Sequence, residues 1–174
     1  MLVQYSVLPL SRDRIPEAFP VVACLDQQVT AKQWTDYATA VVAANGTGGH
    51  GIMTLQDPQS HIIGLSVYHI RPDLQRGLIL AIENFAVVSL TGSQQAASTL
   101  LAGMEDLARD CGCACLAVSL LDRHARRSPN RRRNHTGRLF QGAGFRLDLA
   151  RLSKCFEAAT AGGQGPADGA QPQA

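Results

Sequence analysis

Lysine is nearly missing from this chain: Lys32 and Lys154 are the only two, so its cations are almost all arginines, and the formal net charge is only +2. A chain this close to neutral lacks the overall field that draws in nucleic acid, and nucleic acid is not an expected partner. Long apolar runs are missing as well. No window is long enough to cross a bilayer, and the opening MLVQYSVLPLSRDR has no basic stretch ahead of an apolar one. Neither a membrane span nor a secretory leader is expected. The cysteines are odd in number: Cys24, Cys111, Cys113, Cys115 and Cys155, five in all. An odd set in an unsecreted chain argues for free thiols in a reducing compartment, so the expected location is the cytoplasm.

What is present suits one domain. A length of 174 residues, 45% of them hydrophobic, can bury a core without disulfides or metals. Residues 1–157 are expected to fold as a unit. Residues 158–174, mostly Gly, Ala, Gln and Pro, are expected to be disordered.

Hydrophobic periodicity outlines the elements. LVQYSVLPL alternates loosely and ends at a proline, which predicts an edge strand. Thr30 is placed to cap a helix over AKQWTDYATAVVAA, with Trp34, Tyr37, Val41 and Val42 near one face. Gly51 to Leu55 and His61 to Ile70 read as a hairpin around Asp57-Pro58-Gln59-Ser60. Gly77 to Val88 is apolar on both faces, as in a central strand covered on both sides. A helix is expected from about Gln94 to Arg109, ended by Gly112. Its stripe of Ala97, Leu100, Leu101, Met104, Leu107 and Ala108 reads as core packing. Cys113 to Leu120 reads as a buried strand and Thr136 to Gln141 as a short helix broken by Gly142-Ala-Gly144. Phe145 to about Phe156 reads as a last strand or pair of strands.

The unit with chemical content is GLILAIENFAVV, SLTGS, QQAASTLLAGMEDLARD, CACLAVSLL: strand, tight loop, helix, strand. A helix that opens right after a central strand aims free backbone N–H groups at the sheet end, a setting that binds phosphate. Gly92, Ser93, Ala96, Ala97 and Ser98 are small enough to let a pyrophosphate approach the backbone.

These segments, in this order, resemble the GNAT superfamily of acyl-CoA-dependent N-acetyltransferases. The hairpin carries an Ile63-Gly64 step in its second strand. The long strand ends in Asn84-Phe85-Ala86-Val87-Val88. Ser98 to Ala108 is similar to the family's cofactor-binding helix, and Arg138-Leu-Phe-Gln-Gly-Ala-Gly-Phe145 is similar to its late helix, which usually ends Leu-Tyr-x-x-x-Gly-Phe. The resemblance covers roughly Val3 to Phe156. It implies an α/β (α+β) GNAT fold: a mixed central sheet of six to seven strands flanked by about four helices. It also implies an acetyltransferase that uses acetyl-CoA as acyl donor. Phe85, Ala86, Val87 and Val88 would pair with the pantetheine arm. Gly92, Ser93, Gln94, Gln95, Ala96, Ala97 and Ser98 would meet the pyrophosphate, with Phe140 beside the thiol. The amide of Val87 would polarise the thioester carbonyl. Glu83, mid-strand in an apolar run and expected on the same face as Phe85 and Val87, would take the amine proton.

The chain departs from the family pattern twice. The pyrophosphate loop of relatives reads Arg or Gln, two residues, Gly, one residue, then Gly or Ala. Here those positions hold Gly92, Gln95 and Ala97, and a two-residue shift that puts Gln94 first stays open. Phe140 stands where many relatives carry a tyrosine that protonates the leaving thiolate, and phenylalanine has no proton to give.

Other features have plainer readings. Tyr68, Asn84 and His135 are the candidate substrate contacts, but Tyr68 and His69 also read as core or rim, Asn84 as a partner for backbone groups, and His135 as surface. Glu83 has a structural alternative, an ion pair with an arginine such as Arg76. The Cys111-x-Cys113-x-Cys115 spacing does not match paired zinc ligands, so no metal is expected. Seven arginines between Asp122 and Arg138 read as a solvated loop, with an adaptor for RNA or an acidic partner as one alternative. A GNAT-fold module that binds acyl-CoA but transfers weakly is another. The expected acceptor is a small-molecule or peptide amine, selected by the N-terminal helices that Trp34 anchors. A homodimer stays open.

Overall fold

The computed structural model describes residues 4–44, 49–88, 93–119 and 135–146. In chain order these form β1 (Ser6–Pro9), two short 3-10 turns (Arg12–Arg14 and Pro16–Ala18), α1 (Phe19–Leu25) and α2 (Ala31–Ala44). Then come β2 (His50–Gln56), β3 (Ile62–Asp73), β4 (Gly77–Val87), α3 (Ser93–Asp110), β5 (Cys115–Val118) and α4 (His135–Gly142). The strands lie side by side in sequence order, antiparallel except for the parallel pair β4 and β5. A parallel pair needs a long crossover, and α3 supplies it.

The expected mixed α/β architecture is therefore present. Five strands and four α-helices are seen among the described residues. Of the last expected strands, Phe145 and Arg146 are described and lie in no strand, and everything from residue 147 on is outside the described residues, as is the 158–174 tail. The seven-arginine loop also lies outside them, except for Arg138.

Local chemistry sets the element ends. Thr30 and Gln33 form a reciprocal capping box on α2: the Gln33 amide donates to Thr30 Oγ1 at 3.2 Å and the Thr30 amide to Gln33 Oε1 at 2.9 Å. At the far end of α3, Gly112 takes φ +68° while the Cys113 amide reaches back to the Ala108 carbonyl at 2.8 Å. That is a Schellman stop, which favours glycine because a side chain is strained there. The β2–β3 turn is held by Asp57, whose Oδ1 accepts from the amides of Gln59 and His61 at 2.9 and 2.8 Å.

The sheet divides the core in two. On one face α1 and α2 pack Val21, Val22, Trp34 and Ala38 against Ile52, Leu65, Val67 and Ala86. Trp34 anchors this side as expected: it is buried and its indole Nε1–H donates to the Ile15 carbonyl at 2.7 Å. On the other face α3 buries Ala96, Leu100, Met104 and Ala108 against Leu55, Tyr68, Leu80 and Ile82. This helix sits so close to β1 that a Cβ added at Gly103 would lie 2.7 Å from Val7 Cγ1.

Candidate active site

The functional geometry begins with a fault in β4. Along β3, Val67 pairs with Asn84 but Tyr68 pairs with Ile82, which leaves Glu83 as an extra residue in β4. Such a bulge resets the alternation of side chains. Leu80 and Ile82 pack toward α3, and so do Phe85 and Val87 beyond the bulge. Glu83 does not. Its carboxylate lies 3.4 Å from His69 Nδ1, and its charge acts on Tyr37 of α2. The expectation that Glu83 shares a face with Phe85 and Val87 is thus corrected, because regular period-2 counting fails across a bulge.

On the β5 side of β4 the pairing among the described residues also ends here, beside a gap between the end of β4 and α4. The parallel pairing with β5 runs from Ile79–Cys115 to Ile82–Val118, and the Ser119 amide closes it on the Ile82 carbonyl at 2.9 Å. Among the described residues no β5 partner faces Glu83 to Val87. On the β3 side the ladder continues, with the Val88 amide donating to the Ile63 carbonyl at 2.7 Å. Successive amides of a strand point to opposite edges, so those of Phe85 and Val87 point away from β3, toward the gap.

A cleft of about 800 Å³ occupies that gap, between the end of β4, α3 and α4. Phe85, Ala86, Val87 and Val88 form its strand wall. Gln94, Ala97, Ser98, Leu101 and Glu105 form the helix wall at helical spacing. Ala97, expected in the core, thus faces the cleft; Leu101 touches it too but is buried as expected, and Ala96 is fully buried against Leu55 and Leu100 beneath it. Gln95 is on the outer surface of the first turn, and Gly92 lies outside the described residues. Ser93 opens the helix. From α4, Arg138 and Leu139 complete the wall. Among the described residues Arg138 is the one cation lining this cleft.

Phe140 lies under the cleft rather than in it. It is 3% exposed and packs edge-on between Phe85 and Phe145, with ring centroids 5.2 and 5.1 Å away.

A second cavity of about 380 Å³ opens on the opposite face, between α1, α2 and the middle of β3 and β4. Asn84 lines it, so this candidate substrate contact does face a pocket. Leu25 at the end of α1 lines both cavities, so they adjoin there. Tyr68 faces the α3 core instead, with Leu80, Ile82 and Met104. Its ring lies over Gly51, where an added Cβ would come within 2.5 Å of the hydroxyl. His135 starts α4.

Beside the bulge stands a group that the sequence named only as rim. His69 is paired across the hairpin with His50, and the two rings stack at 5.8 Å. With Glu83 and Tyr37 they form a titratable cluster next to the second cavity. A hairpin around residues 57–60 brings positions 50 and 69 opposite each other to within one residue, so that signal was available. The contact with Glu83 was not, because it depends on the bulge. Burial, and secondarily the charge of Glu83, holds the Tyr37 phenol above its ordinary pKa. Arg76, the alternative partner considered for Glu83, lies in the turn before β4, where its amide donates to Asp73 at 3.0 Å.

The thiols form no metal centre among the described residues, where no group of three or more His, Cys, Asp or Glu side chains is placed to hold an ion. Cys24, Cys111, Cys113 and Cys115 are free. No helix among the described residues is long and apolar enough to cross a membrane.

No family model and no curated protein matches the chain in sequence. Solved structures do match in shape. The aminoglycoside N-acetyltransferase AAC(6')-Iy in complex with CoA superposes with a TM-score of 0.71 at 12% identity, over 91% of this chain and 98% of that one. The glucosamine-6-phosphate N-acetyltransferase of Arabidopsis thaliana gives 0.65 at 15% identity, over 88% and 99%. An acetyltransferase of Trypanosoma brucei gives 0.64 at 14% identity, over 88% and 100%. The chain has the GNAT fold.

Proposed function

We propose that this protein is an N-acetyltransferase that moves an acetyl group from acetyl-CoA to a primary amine by direct attack, with both substrates bound together. The observation that carries the reading is the cleft that the end of β4 lines together with α3 and α4, which adjoins the second cavity at Leu25.

The residues present fit an acyl-CoA. Phe85 and Val87 direct backbone groups into the cleft, and an amide-bearing arm can pair with them as an added strand. The first-turn amides of α3 and the guanidinium of Arg138 favour negative charge at one wall of the same cleft. The small side chains of Ala97 and Ser98 allow close approach. Gln95, in the place of the family's glycine, points outward and does not fill the cleft.

Bound acetyl-CoA supplies an acetyl group activated as a thioester. The Val87 amide is the donor for its carbonyl oxygen as negative charge develops there. An alkyl amine is mostly protonated near neutral pH and must lose a proton to attack. Glu83 is the acceptor for that proton, with His69 at 3.4 Å to orient the carboxylate and pass charge outward. The amine nitrogen bonds to the acetyl carbon as the carbon–sulfur bond breaks. The nitrogen gives its second proton to solvent and the departing sulfur takes one from solvent, since Phe140 has none to give. The free thiols suit a reducing, cytoplasmic setting.

One observation favours a second reading, an acyl-CoA-binding module with weak transfer: Phe140 is fixed in an aromatic stack and supplies no acid itself. Calorimetry with acetyl-CoA, followed by thiol release in the presence of amines, tests both. Binding together with amine-dependent thiol release is expected. Binding without release selects the weak module, and no binding at millimolar acetyl-CoA removes both readings.

A further inference from the structure

β2 and β3 carry one imidazole each at the same level of their ladder. His50 and His69 are direct cross-strand partners, and their ring centroids lie 5.8 Å apart. His50 is exposed and His69 is partly exposed, so both rings can be reached from solvent. On the β4 side of His69, the Glu83 carboxylate lies 3.4 Å from Nδ1. A carboxylate there favours the tautomer with its proton on Nδ1 and leaves the Nε2 lone pair to an ion. Histidines that bind metals usually donate their other ring N–H to a carboxylate or a carbonyl in this way.

We propose that His50 and His69 form a two-histidine site for a divalent transition-metal ion such as Zn²⁺, with water completing the shell and Glu83 as the outer carboxylate. The spacing fits. With each ring nitrogen about 2.1 Å from a tetrahedral ion, two imidazoles have centroids roughly 5–6 Å apart. The ladder maintains that spacing, because directly opposed residues hold their Cβ atoms about 5 Å apart. The site needs no third protein ligand, so it is open and reversible. Imidazole donors select zinc, nickel and copper over magnesium and calcium. An ion on Nε2 also acts on the transfer step. It closes the outward route from Glu83 through His69 and holds the carboxylate against Nδ1–H, so zinc inhibits transfer. That consequence rests on the acetyltransferase reading, whereas the binding does not. His61 is a built-in control. Its Nδ1 lies 3.2 Å from Asp57, but among the described residues no second histidine stacks on it.

The experiment titrates the full-length protein with zinc chloride and follows its five histidine rings in two-bond proton–nitrogen spectra. Zinc taken up by thiols leaves ring signals unmoved, so the readout is specific. His50 and His69 are expected to shift together and saturate at sub-millimolar zinc, with His61 unmoved until higher zinc. Magnesium chloride is expected to move none of them. In His50→Gln the His69 ring should need at least about tenfold more zinc, and in Glu83→Gln the pair should need about tenfold more, the range for loss of an outer-shell carboxylate. His50→Gln should also retain acetyl transfer and lose its inhibition by zinc. Rings that shift at different zinc levels, a His61 response at the same level, or unchanged affinity in either variant overturns the proposal. Zinc bound as described without inhibition upholds the site and takes Glu83 out of the transfer step. Zinc bound as described in a protein that transfers no acetyl group upholds the site and removes the enzymatic reading.

Discussion

Glu83 and Phe85 stand two residues apart on β4 yet face opposite sides of the sheet. Glu83 meets His69 on the α2 side, and Phe85 packs toward α3 and Phe140. The bulge that separates them puts a carboxylate beside one cavity and, beside the other, a strand edge with no partner among the described residues. On the proposed reading these are a proton acceptor and a thioester-binding edge, on the two sides of one short segment.

If Glu83 takes the amine proton, Glu83→Gln keeps the shape and loses the base. The turnover number is expected to fall by about a hundredfold or more, with acetyl-CoA affinity unchanged because the cleft residues are untouched. The pH dependence of kcat/KM should change shape. A variant whose pH profile matches the parent's takes Glu83 out of the chemistry.

Tyr37 offers a test of the same cluster that needs no activity. Its phenol is held above the ordinary tyrosine value, first by burial and then by Glu83. A phenol kept neutral by its surroundings stabilises the fold below the unfolded tyrosine pKa, near 10. That contribution is lost as pH rises through the higher folded value. Absorbance at about 295 nm, with Tyr37→Phe as the difference reference, should give a raised midpoint. Glu83→Gln should lower it only part of the way, since burial is the larger cause. A midpoint that ignores the substitution would mean the two groups are not neighbours.

Ser66 sits in β3 with 0% exposure, and its hydroxyl has no hydrogen-bond partner among the described residues. Removing an unpaired buried hydroxyl restores nothing that was bonded and relieves desolvation. Ser66→Ala is expected to raise unfolding stability by roughly 0.5–1 kcal/mol in urea titrations. A loss of stability would reveal a partner.

Close packing makes the opposite forecast for Gly103. Alanine there gains up to about 1 kcal/mol of helix propensity. Its Cβ would fall 2.7 Å from Val7 Cγ1 and 2.9 Å from Val7 Cβ, and an atom so near the backbone cannot simply rotate aside. Overpacking costs about 1–3 kcal/mol, so a net loss of roughly 1 kcal/mol is expected. The double variant with Val7→Ala should recover most of it, and independent additivity of the two changes would contradict the contact.

Arg138 is the one cation among the described residues that line the nucleotide-side cleft. Arg138→Gln should weaken acetyl-CoA binding by about three- to tenfold at low salt, and by less in high salt, because an exposed charge is screened. Equal affinity at both ionic strengths would assign the arginine to the surface.

Much of this fold is legible in one sequence because it is written in local patterns. The Thr30–Gln33 cap, the Gly112 stop and the Asp57 turn bound their elements within a residue or two. The two-sided apolar run of Gly77 to Val88 identifies the central strand. Which side of α3 faces what is less legible. Ala97 and Leu101 repeat at core spacing, and only the position of α4 across the gap makes them cleft wall. Asp26, Gln33 and Tyr37 carry no motif at all. They become a pocket lining because α1 and α2 pack over β3 and β4.

The amino-acid sequence alone determined the elements, their order and the helix that opens beyond the central strand, since periodicity, caps and turn chemistry act over a few residues. Tertiary structure alone decided that Glu83 faces His69, that Phe85 to Val88 line a cleft with α3 and α4, and that two cavities adjoin at Leu25. Each of these follows from strand register and helix placement, which depend on contacts between residues far apart in the chain. A single bulge is enough to reverse every face assignment that follows it.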